Sequence, residues 1–367
     1  MAENETEQKF RPAENIARFL MSTPSRLVGE LECPGLLLTH AFPGVLQSTQ
    51  WQTQISEGPY SRSYYVISTS LDESKNQSEL FTRPLKFEPD MITDLASLWF
   101  GKRFDLHGPI EKMGLFWMPY GTESMPTRMY FLGAYNHKPR KDLQVRLKLD
   151  QLSVPVKLFS TEKPRSILGA FWKAASFYAR SLRAYENEPE VAFLDLISAL
   201  EIIASELYFS EDVLYDAQTL KDLKAIEAYV PEGAESARRM KSRFLQIHRR
   251  VVLSAVELTN DTFFNGSESR HAEFALTKER LESAVSAAYG VRSSYIHTGA
   301  RFSIWVDPHG AMLNEIVLGK PVLPSSEGKL ADLLAKMPTF LGLERLVRFM
   351  ILRFAHLKIV PLHDGLN

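Results

Sequence analysis

The sequence contains a single cysteine, Cys33, among its 367 residues. One cysteine can neither form an internal disulfide nor build a thiolate metal site, so a reducing compartment suits this chain. No apolar run approaches the length of about eighteen residues that a membrane-spanning helix requires. The first ten residues, MAENETEQKF, are acidic and polar, unlike a secretory signal. We therefore expect a cytoplasmic protein that does not cross a membrane.

The sequence also lacks the usual signatures of metal and cofactor sites. It has no HExxH or CxxC motif, no paired histidine ligands on one helix and no glycine-rich phosphate loop. We therefore expect no metal and no cofactor. The 43 basic and 44 acidic residues leave a net charge of -1, which provides no global basic field. Any binding of nucleic acid must therefore be local.

The first half of the chain predicts a mainly β domain over residues 25–162, after a flexible N-terminus at residues 1–24. The predicted strands are short, aromatic or β-branched segments: GLLLTHAF, SRSYYVISTSL, MGLFWMPYG, RMYFLGAYN and VRLKLDQLSVPV. One helix, PDMITDLASLWFGKRF, interrupts them, with Pro89 in its first turn. The strand pattern ends near residues 158–168.

Residues 163–367 predict an all-α domain. Two helices, ILGAFWKAASFYARSLRAYENE and PEVAFLDLISALEIIASELYF, are joined by so short a link that they form an antiparallel pair. Helical periodicity returns over residues 234–259, 274–298 and 329–358, and Pro338 starts or kinks the last helix.

A β-hairpin is predicted within this helical domain, over residues 302–318. Two apolar stretches flank Asp307, Pro308 and Gly310, which are typical of a type I turn. The predicted fold class is therefore α+β, a mainly β domain followed by a helical bundle with an inserted hairpin.

An arginine and a histidine separated by four residues, Arg292 and His297, lie in the segment SAAYGVRSSYIHTGARF. This spacing is a weak signal, because chance yields about two matches in a chain of this composition. A second match, Arg243 and His248, lies in RFLQIH. That second pair falls within a predicted long basic helix, where a structural role is the favoured interpretation.

The helical context distinguishes the first pair. A helical projection places Arg292 on an apolar stripe, where an unpaired guanidinium would cost several kcal/mol. Arg292 must therefore meet a carboxylate, a subunit partner or an anionic ligand. His297 lies about 140° further around the helix, just before Gly299, a predicted C-cap. Structural roles stay open: Arg292 could pair with a buried acid, and His297 could complement the helix dipole.

The segment AAYGVRSSYIHTG resembles the signature of the HEPN superfamily, in which an apolar residue and tyrosine lead into Arg-Ser and then histidine with a small residue. FLDLISALEIIASELY resembles the second helix of that superfamily, and LERLVRFMILRFAHLKI resembles its last helix. The resemblance covers about residues 165–360 and is greatest to the ApeA-like branch of bacterial defence proteins. The chain departs from the common pattern at Ser293 and at the predicted hairpin.

This resemblance implies metal-independent cleavage of RNA by its own 2′-hydroxyl, in a homodimer with one composite cleft. His297 would then be the general acid or base and Arg292 the phosphate clamp. Glu201 lies beside the apolar stripe of its own helix, four residues after Ile197, so helical periodicity predicts a semi-buried carboxylate that orients Arg292. A plain position on the helix surface is equally open. One alternative is a catalytically inactive dimer that binds a nucleotide or acts as a scaffold. Another is a DNA- or protein-interaction module.

The run ARRMKSRFLQIHRR, residues 237–250, is the most basic part of the chain and predicts an RNA-binding surface, although such runs are often only solvated helix faces. The candidate RNA-binding residues are Arg238, Arg239, Lys241, Arg243, Arg249 and Arg250. The β domain is expected to be a sensor or regulator, with a phage component or regulatory ligand as its partner.

Overall fold

The described part of the chain folds into an antiparallel sheet followed by a helical region. The computed structural model describes residues 15–41, 62–70, 87–120, 132–243, 246–299, 301–306, 313–324 and 328–367. The mixed α+β class predicted from the sequence is confirmed at this level. None of the described helices combines the length and apolar character needed to span a membrane.

The described strands form one six-stranded sheet with the order β2-β3-β4-β1-β5-β6. Their bounds are β1 Ile16–Thr23, β2 Leu31–Cys33, β3 Leu36–His40, β4 Ser63–Ser70, β5 Asp105–Lys112 and β6 Leu115–Phe116. The strands predicted in GLLLTHAF and SRSYYVISTSL are confirmed as β3 and β4. The one predicted in MGLFWMPYG is reduced to the two residues of β6.

Strand β1 lies inside the sheet, so the predicted flexible N-terminal segment is too long. Residues 1–24 were predicted to be flexible, but residues 16–23 pair with β4 along their whole length and with β5 on the other side. Ala17 and Met21 are fully buried, so this strand contributes both ladder hydrogen bonds and core packing. Residues 1–14 lie outside the described part of the chain.

The last predicted strand, VRLKLDQLSVPV, is also wrong. Its residues form two short 3₁₀ helices, Leu149–Ser153 and Pro155–Phe159. Buried residues recur there at every third position: Leu149, Leu152, Pro155 and Leu158. That spacing fits the three residues per turn of a 3₁₀ helix and not the period of two in a strand. Of the predicted strand RMYFLGAYN, residues 132–136 form no strand and the preceding residues lie outside the description.

Helix α1, Pro89–Phe100, was predicted and is confirmed. Pro89 occupies its first turn, and it ends at Gly101, whose φ of 61° is left-handed. Its buried residues include Ile92, Leu95 and Trp99, which join the common core. This helix connects the sheet to the helical region, because it packs on both β5 and the first helix of that region.

The helical region contains eleven described α-helices. They are α2 Arg165–Ala184, α3 Pro189–Ser205, α4 Glu211–Leu214, α5 Ala217–Tyr229, α6 Gly233–Arg243, α7 Ile247–Glu257, α8 Asp261–Asn265, α9 Lys278–Thr298, α10 Ser303–Val306, α11 Gly328–Leu334 and α12 Phe340–Lys358. The predicted pair α2 and α3 is present, and the two helices pack extensively on each other. Pro338 separates α11 from α12, which Thr339 caps.

The single helix predicted over residues 234–259 is two helices. Helix α6 ends at Arg243, Gln246 adopts a left-handed φ of 47°, and α7 begins at Ile247. A left-handed residue cannot continue a right-handed helix. The two helices also have different partners, since α6 packs on α5 whereas α7 packs on α3 and α9. The basic run is therefore split between two elements.

The predicted hairpin at residues 302–318 is wrong where the structure describes it. Residues 303–306 form the helical turn α10, because Phe302 and Val306, four positions apart, are both buried. On the other side, Ile316 makes only an isolated bridge with Pro338. The turn residues 307–312 lie outside the described chain.

The two halves share one hydrophobic core, which runs from the sheet through α1 into the helices. Secondary structure does change near the predicted boundary at residues 162–163, since α2 begins at Arg165. Buried ion pairs also cross between the halves, including that of Arg348 in α12 with Asp142 at 3.0 Å. The packing of α3, α7 and α9 within the helical half positions the residues described next.

Candidate functional site

Helix α9 carries both residues of the arginine and histidine pair. It ends at Gly299, whose φ of 68° is left-handed and which caps the helix as predicted. His297 therefore lies in the last helical turn. A Cβ at Gly290 would lie 2.8 Å from a leucine side chain of α11, so this glycine permits close packing of the two helices.

Arg292 is ion-paired with Glu201 of α3. Its Nη2 lies 3.1 Å from a carboxylate oxygen, and the exposed fractions of the two side chains are 26% and 21%. The sequence placed Arg292 within an apolar stripe, and the structure places it at the edge of the buried face of α9, next to the buried Val291. Arg292 was expected to pair with a carboxylate, and Glu201 was the candidate to orient it. The structure contains this pair.

Tyr289 is a third member of this site, one turn before Arg292. The Arg292 guanidinium carbon lies 5.5 Å from the centre of the Tyr289 ring, within the range of a cation–π contact. The Tyr289 phenol also lies close enough to Glu201 for the two groups to interact electrostatically. Burial raises the pKa of Tyr289, and the negative charge of Glu201 raises it further. The phenol therefore stays protonated beside the carboxylate that pairs with Arg292.

His248 of α7 completes the cluster. Its ring stacks on Tyr289 with centres 5.1 Å apart and planes 29° apart, and its Nε2 lies 3.0 Å from the Ser286 hydroxyl. Partial burial lowers the pKa of His248, and the positive charge of Arg249 lowers it further. His248 belongs to the second arginine and histidine match, which was interpreted as structural.

These contacts form one continuous row along the flank of α9. Ser286, Tyr289 and Arg292 follow one another at intervals of three residues, which places them on one side of the helix. We call Glu201, Ser286, Tyr289, Arg292 and His248 the α9 cluster. Sequence reasoning missed His248 and Tyr289, and the only signal for them was the second spacing match and the tyrosine of the AAYGVR segment.

His297 is not part of the α9 cluster. Its side chain is exposed. Among the described residues, no hydrogen bond, ion pair or ring contact joins it to Arg292, in keeping with the 140° offset expected from a regular helix. The structure therefore brings Glu201 to Arg292 and leaves His297 beyond them at the helix end.

The predicted RNA-binding residues divide into several environments. Lys241 is held by Glu211 at 2.8 Å and by Glu227 at 3.2 Å, which reduces its availability to phosphate. On α6, Arg238 and Arg239 are exposed. The side chain of Arg243 lies outside the description.

The remaining two basic residues lie beside His248 on α7. Arg249 donates to the Val213 carbonyl at 3.3 Å, and Arg250 donates to the Leu207 carbonyl at 3.2 Å. Arg249 is exposed, and its charge reaches His248. Arg249, rather than the arginines of α6, therefore borders the α9 cluster.

A second polar cluster lies in the sheet and has the character of a buried structural network. The Ser22 hydroxyl lies 2.7 Å from His107 Nε2, and Arg62 donates to the same hydroxyl at 2.9 and 3.0 Å. Both Ser22 and His107 are buried, with exposed fractions of 0% and 2%. A nucleophile needs access to its substrate, so this pair does not define a candidate active site.

Within the described ranges, no group of three or more His, Cys, Asp or Glu side chains is arranged to hold a metal ion. Comparisons with protein-family models, with curated proteins and with solved structures found no match to this chain. The resemblance to the HEPN superfamily therefore stays a prediction based on the quoted motifs.

Proposed function

We propose that this chain is a metal-independent endoribonuclease of the HEPN type. The observation that carries the proposal is the partly exposed Arg292, held by Glu201 on the helix whose last turn carries His297. An arginine that is oriented but still open to solvent suits a phosphate group, whose oxygens accept the planar guanidinium fork. Glu201 contacts Nη2, so the other N–H groups of Arg292 are left to face a ligand.

The reaction would follow from the roles of these two residues. The RNA 2′-hydroxyl attacks the adjacent phosphorus, so an O2′–P bond forms and the P–O5′ bond breaks. One histidine accepts the proton of the 2′-hydroxyl or donates one to the departing 5′ oxygen. Arg292 stabilises the negative charge that develops on the phosphate. The products are a 2′,3′-cyclic phosphate and a free 5′-hydroxyl.

A homodimer would bring the required groups together. His297 lies on a different side of α9 from Arg292, so a single chain does not present both to one phosphate. Two copies that pair through the ends of α9 would supply His297 and Arg292 to a common cleft. We propose this composite arrangement in a defence or toxin-type effector, with the β-sheet half receiving a phage component or regulatory ligand.

The separation of His297 from Arg292 also favours a second candidate. A catalytically inactive dimer could use the α9 cluster to bind a nucleotide, or could act as a scaffold, without any acid–base step. In that case Arg292 would still contribute to binding and His297 would have no chemical role.

Cleavage of bulk RNA in EDTA tests the proposal. We expect the parent protein to release cyclic phosphate ends, and Arg292→Ala and His297→Ala each to reduce the rate by about a hundredfold or more. Glu201→Ala should reduce it less, because Arg292 keeps its charge. Light scattering should give the mass of two chains.

Matched controls come from exposed residues of the same types, Arg280 and His271. Their alanine variants should cleave like the parent. Inhibition by the chelator, or normal rates in Arg292→Ala and His297→Ala, would refute the mechanism. RNA binding without any cleavage would instead support the inactive dimer, and a single-chain mass would count against the composite cleft.

A further inference from the structure

His248 presents an aromatic ring to solvent beside the proposed phosphate clamp. The residue is exposed, while one face of its ring stacks on Tyr289 at 5.1 Å. Tyr289 in turn contacts Arg292 at 5.5 Å. These two distances limit the separation of the His248 ring and the Arg292 guanidinium to about 11 Å, so one bound RNA strand can reach both.

The position of His248 is fixed from three directions. Its Nε2 bonds to Ser286 at 3.0 Å, Tyr289 supports one ring face, and its helix α7 packs on both α3 and α9. A ring held in this way loses little further freedom when a ligand stacks on it. Planar nucleobases stack on aromatic side chains in many RNA-binding proteins.

We infer that the exposed side chain of His248, whose ring Tyr289 supports, is a nucleobase-stacking subsite for the RNA strand whose phosphate Arg292 holds. His248 is then a positioning residue: it fixes a base so that the neighbouring phosphate meets Arg292. This inference rests on the proposed function, and it assigns a role to the histidine of the second spacing match.

The surrounding charges agree with this role. Arg249, next to His248, is exposed and adds a positive charge where the strand would pass. The carboxylate in the α9 cluster, Glu201, is already paired with Arg292. Partial burial and Arg249 lower the pKa of His248, so its ring is neutral at neutral pH and stacks without desolvating a charge.

Stacking requires an unpaired base, which provides the experiment. Binding of a fluorescein-labelled single-stranded RNA dodecamer would be measured by anisotropy in a His297→Ala background, which keeps the RNA intact. We expect His248→Ala to weaken binding by about fivefold to a hundredfold, and His248→Phe to restore it. His271→Ala is the matched control and should bind like its parent.

A set of dodecamers that each lack one base locates the subsite. In the His297→Ala protein, loss of one particular base should weaken binding. When His248→Ala is added to that protein, the same loss should have no further effect. Thermal unfolding followed by circular dichroism checks that all variants are folded.

The outcomes separate this inference from the proposed function. If Arg292→Ala weakens binding while His248→Ala does not, or if His248→Phe binds no better than His248→Ala, the stacking subsite is refuted and the proposed function stands. Equal loss from the abasic RNA in both backgrounds also refutes the subsite alone. Failure of the parent protein to bind or cleave any RNA refutes the proposed function itself.

Discussion

Arg292 and Glu201 form an ion pair that is better suited to orientation than to stability. Both side chains are about one quarter exposed, and pairs of this kind contribute only about 0.2–1 kcal/mol to folding. The contact nevertheless fixes one nitrogen of Arg292 and leaves the rest of its donors open. A residue whose pairing adds little stability, and which lies at the edge of an apolar helix face, is a reasonable candidate for ligand binding.

His248 provides a prediction at the scale of one residue. Partial burial against Tyr289 and the charge of Arg249 both lower its pKa, so its NMR titration midpoint should lie below the value of 6.5 for a free histidine. In Arg249→Ala the midpoint should rise part of the way back. A midpoint at or above 6.5 in the parent protein would contradict the described environment.

The same shift has a consequence for stability. Because the folded state binds this proton less readily than the unfolded chain, His248 lowers stability as the pH falls from 6.5 towards the folded pKa. Tyr289 stacks on His248 and Ser286 bonds to its Nε2, so the titration reports on this end of the α9 cluster.

The end of α9 provides a prediction at the scale of an element. Gly299 has a left-handed φ of 68°, and an added Cβ would meet nothing within 4 Å, so Gly299→Ala is penalised by backbone conformation alone. We expect a loss of about 1 kcal/mol in the free energy of unfolding, measured by chemical denaturation.

Substitution of glycine by alanine should have the opposite effect on the free energy of unfolding at Gly169. This glycine lies within α2 at a partly exposed position, and its added Cβ also meets nothing within 4 Å. Gly169→Ala should therefore stabilise the protein by about 0.5–1 kcal/mol. Equal effects at the two glycines would show that the helix end does not have the described geometry.

Elements with local end signals were predictable from the sequence. Pro89 marks the start of α1, and Gly299 marks the end of α9. The errors arose where tertiary packing decides the structure. The segment after residue 145 has β-branched residues but buries every third one, and β1 follows a polar tail yet lies inside the sheet.

Part of the candidate site was likewise predictable, because its signal lies within single helices. Helical periodicity alone marked Arg292 as needing a partner and Glu201 as a semi-buried carboxylate. His248 could not be placed, because it reaches Tyr289 only through the packing of α7 on α9, and the break at Gln246 that sets the course of α7 has no strong local signal. Contacts between distant helices depend on packing that a single sequence does not reveal.

At the scale of the whole molecule, buried charges connect the helical half to the N-terminal half. Glu344 of α12 accepts two hydrogen bonds from Arg140, at 2.7 and 2.8 Å, and a third from the Tyr178 hydroxyl. Arg348, one turn later, bonds to Asp142 and to the Leu98 and Trp99 carbonyls. Burial opposes ionisation of Asp142, but the charges of Arg348, Arg140 and Arg345 together outweigh it and lower the pKa of Asp142.

Removal of one charge from this network should destabilise both halves together. Among the described residues, Glu344→Ala leaves the fully buried Arg140 with Glu268 as its one charged partner, and such a loss costs about 3–5 kcal/mol. Glu344→Gln should cost less, because it keeps shape and one acceptor. Tryptophan fluorescence and far-ultraviolet circular dichroism should report coincident denaturation curves, shifted together, because the core is continuous.

Asp332→Ala, which breaks the exposed pair with Lys320, is the control and should cost at most about 1 kcal/mol. Similar costs at Glu344 and Asp332, or a shift in only one of the two signals, would show that these charges do not couple the sheet to the helices.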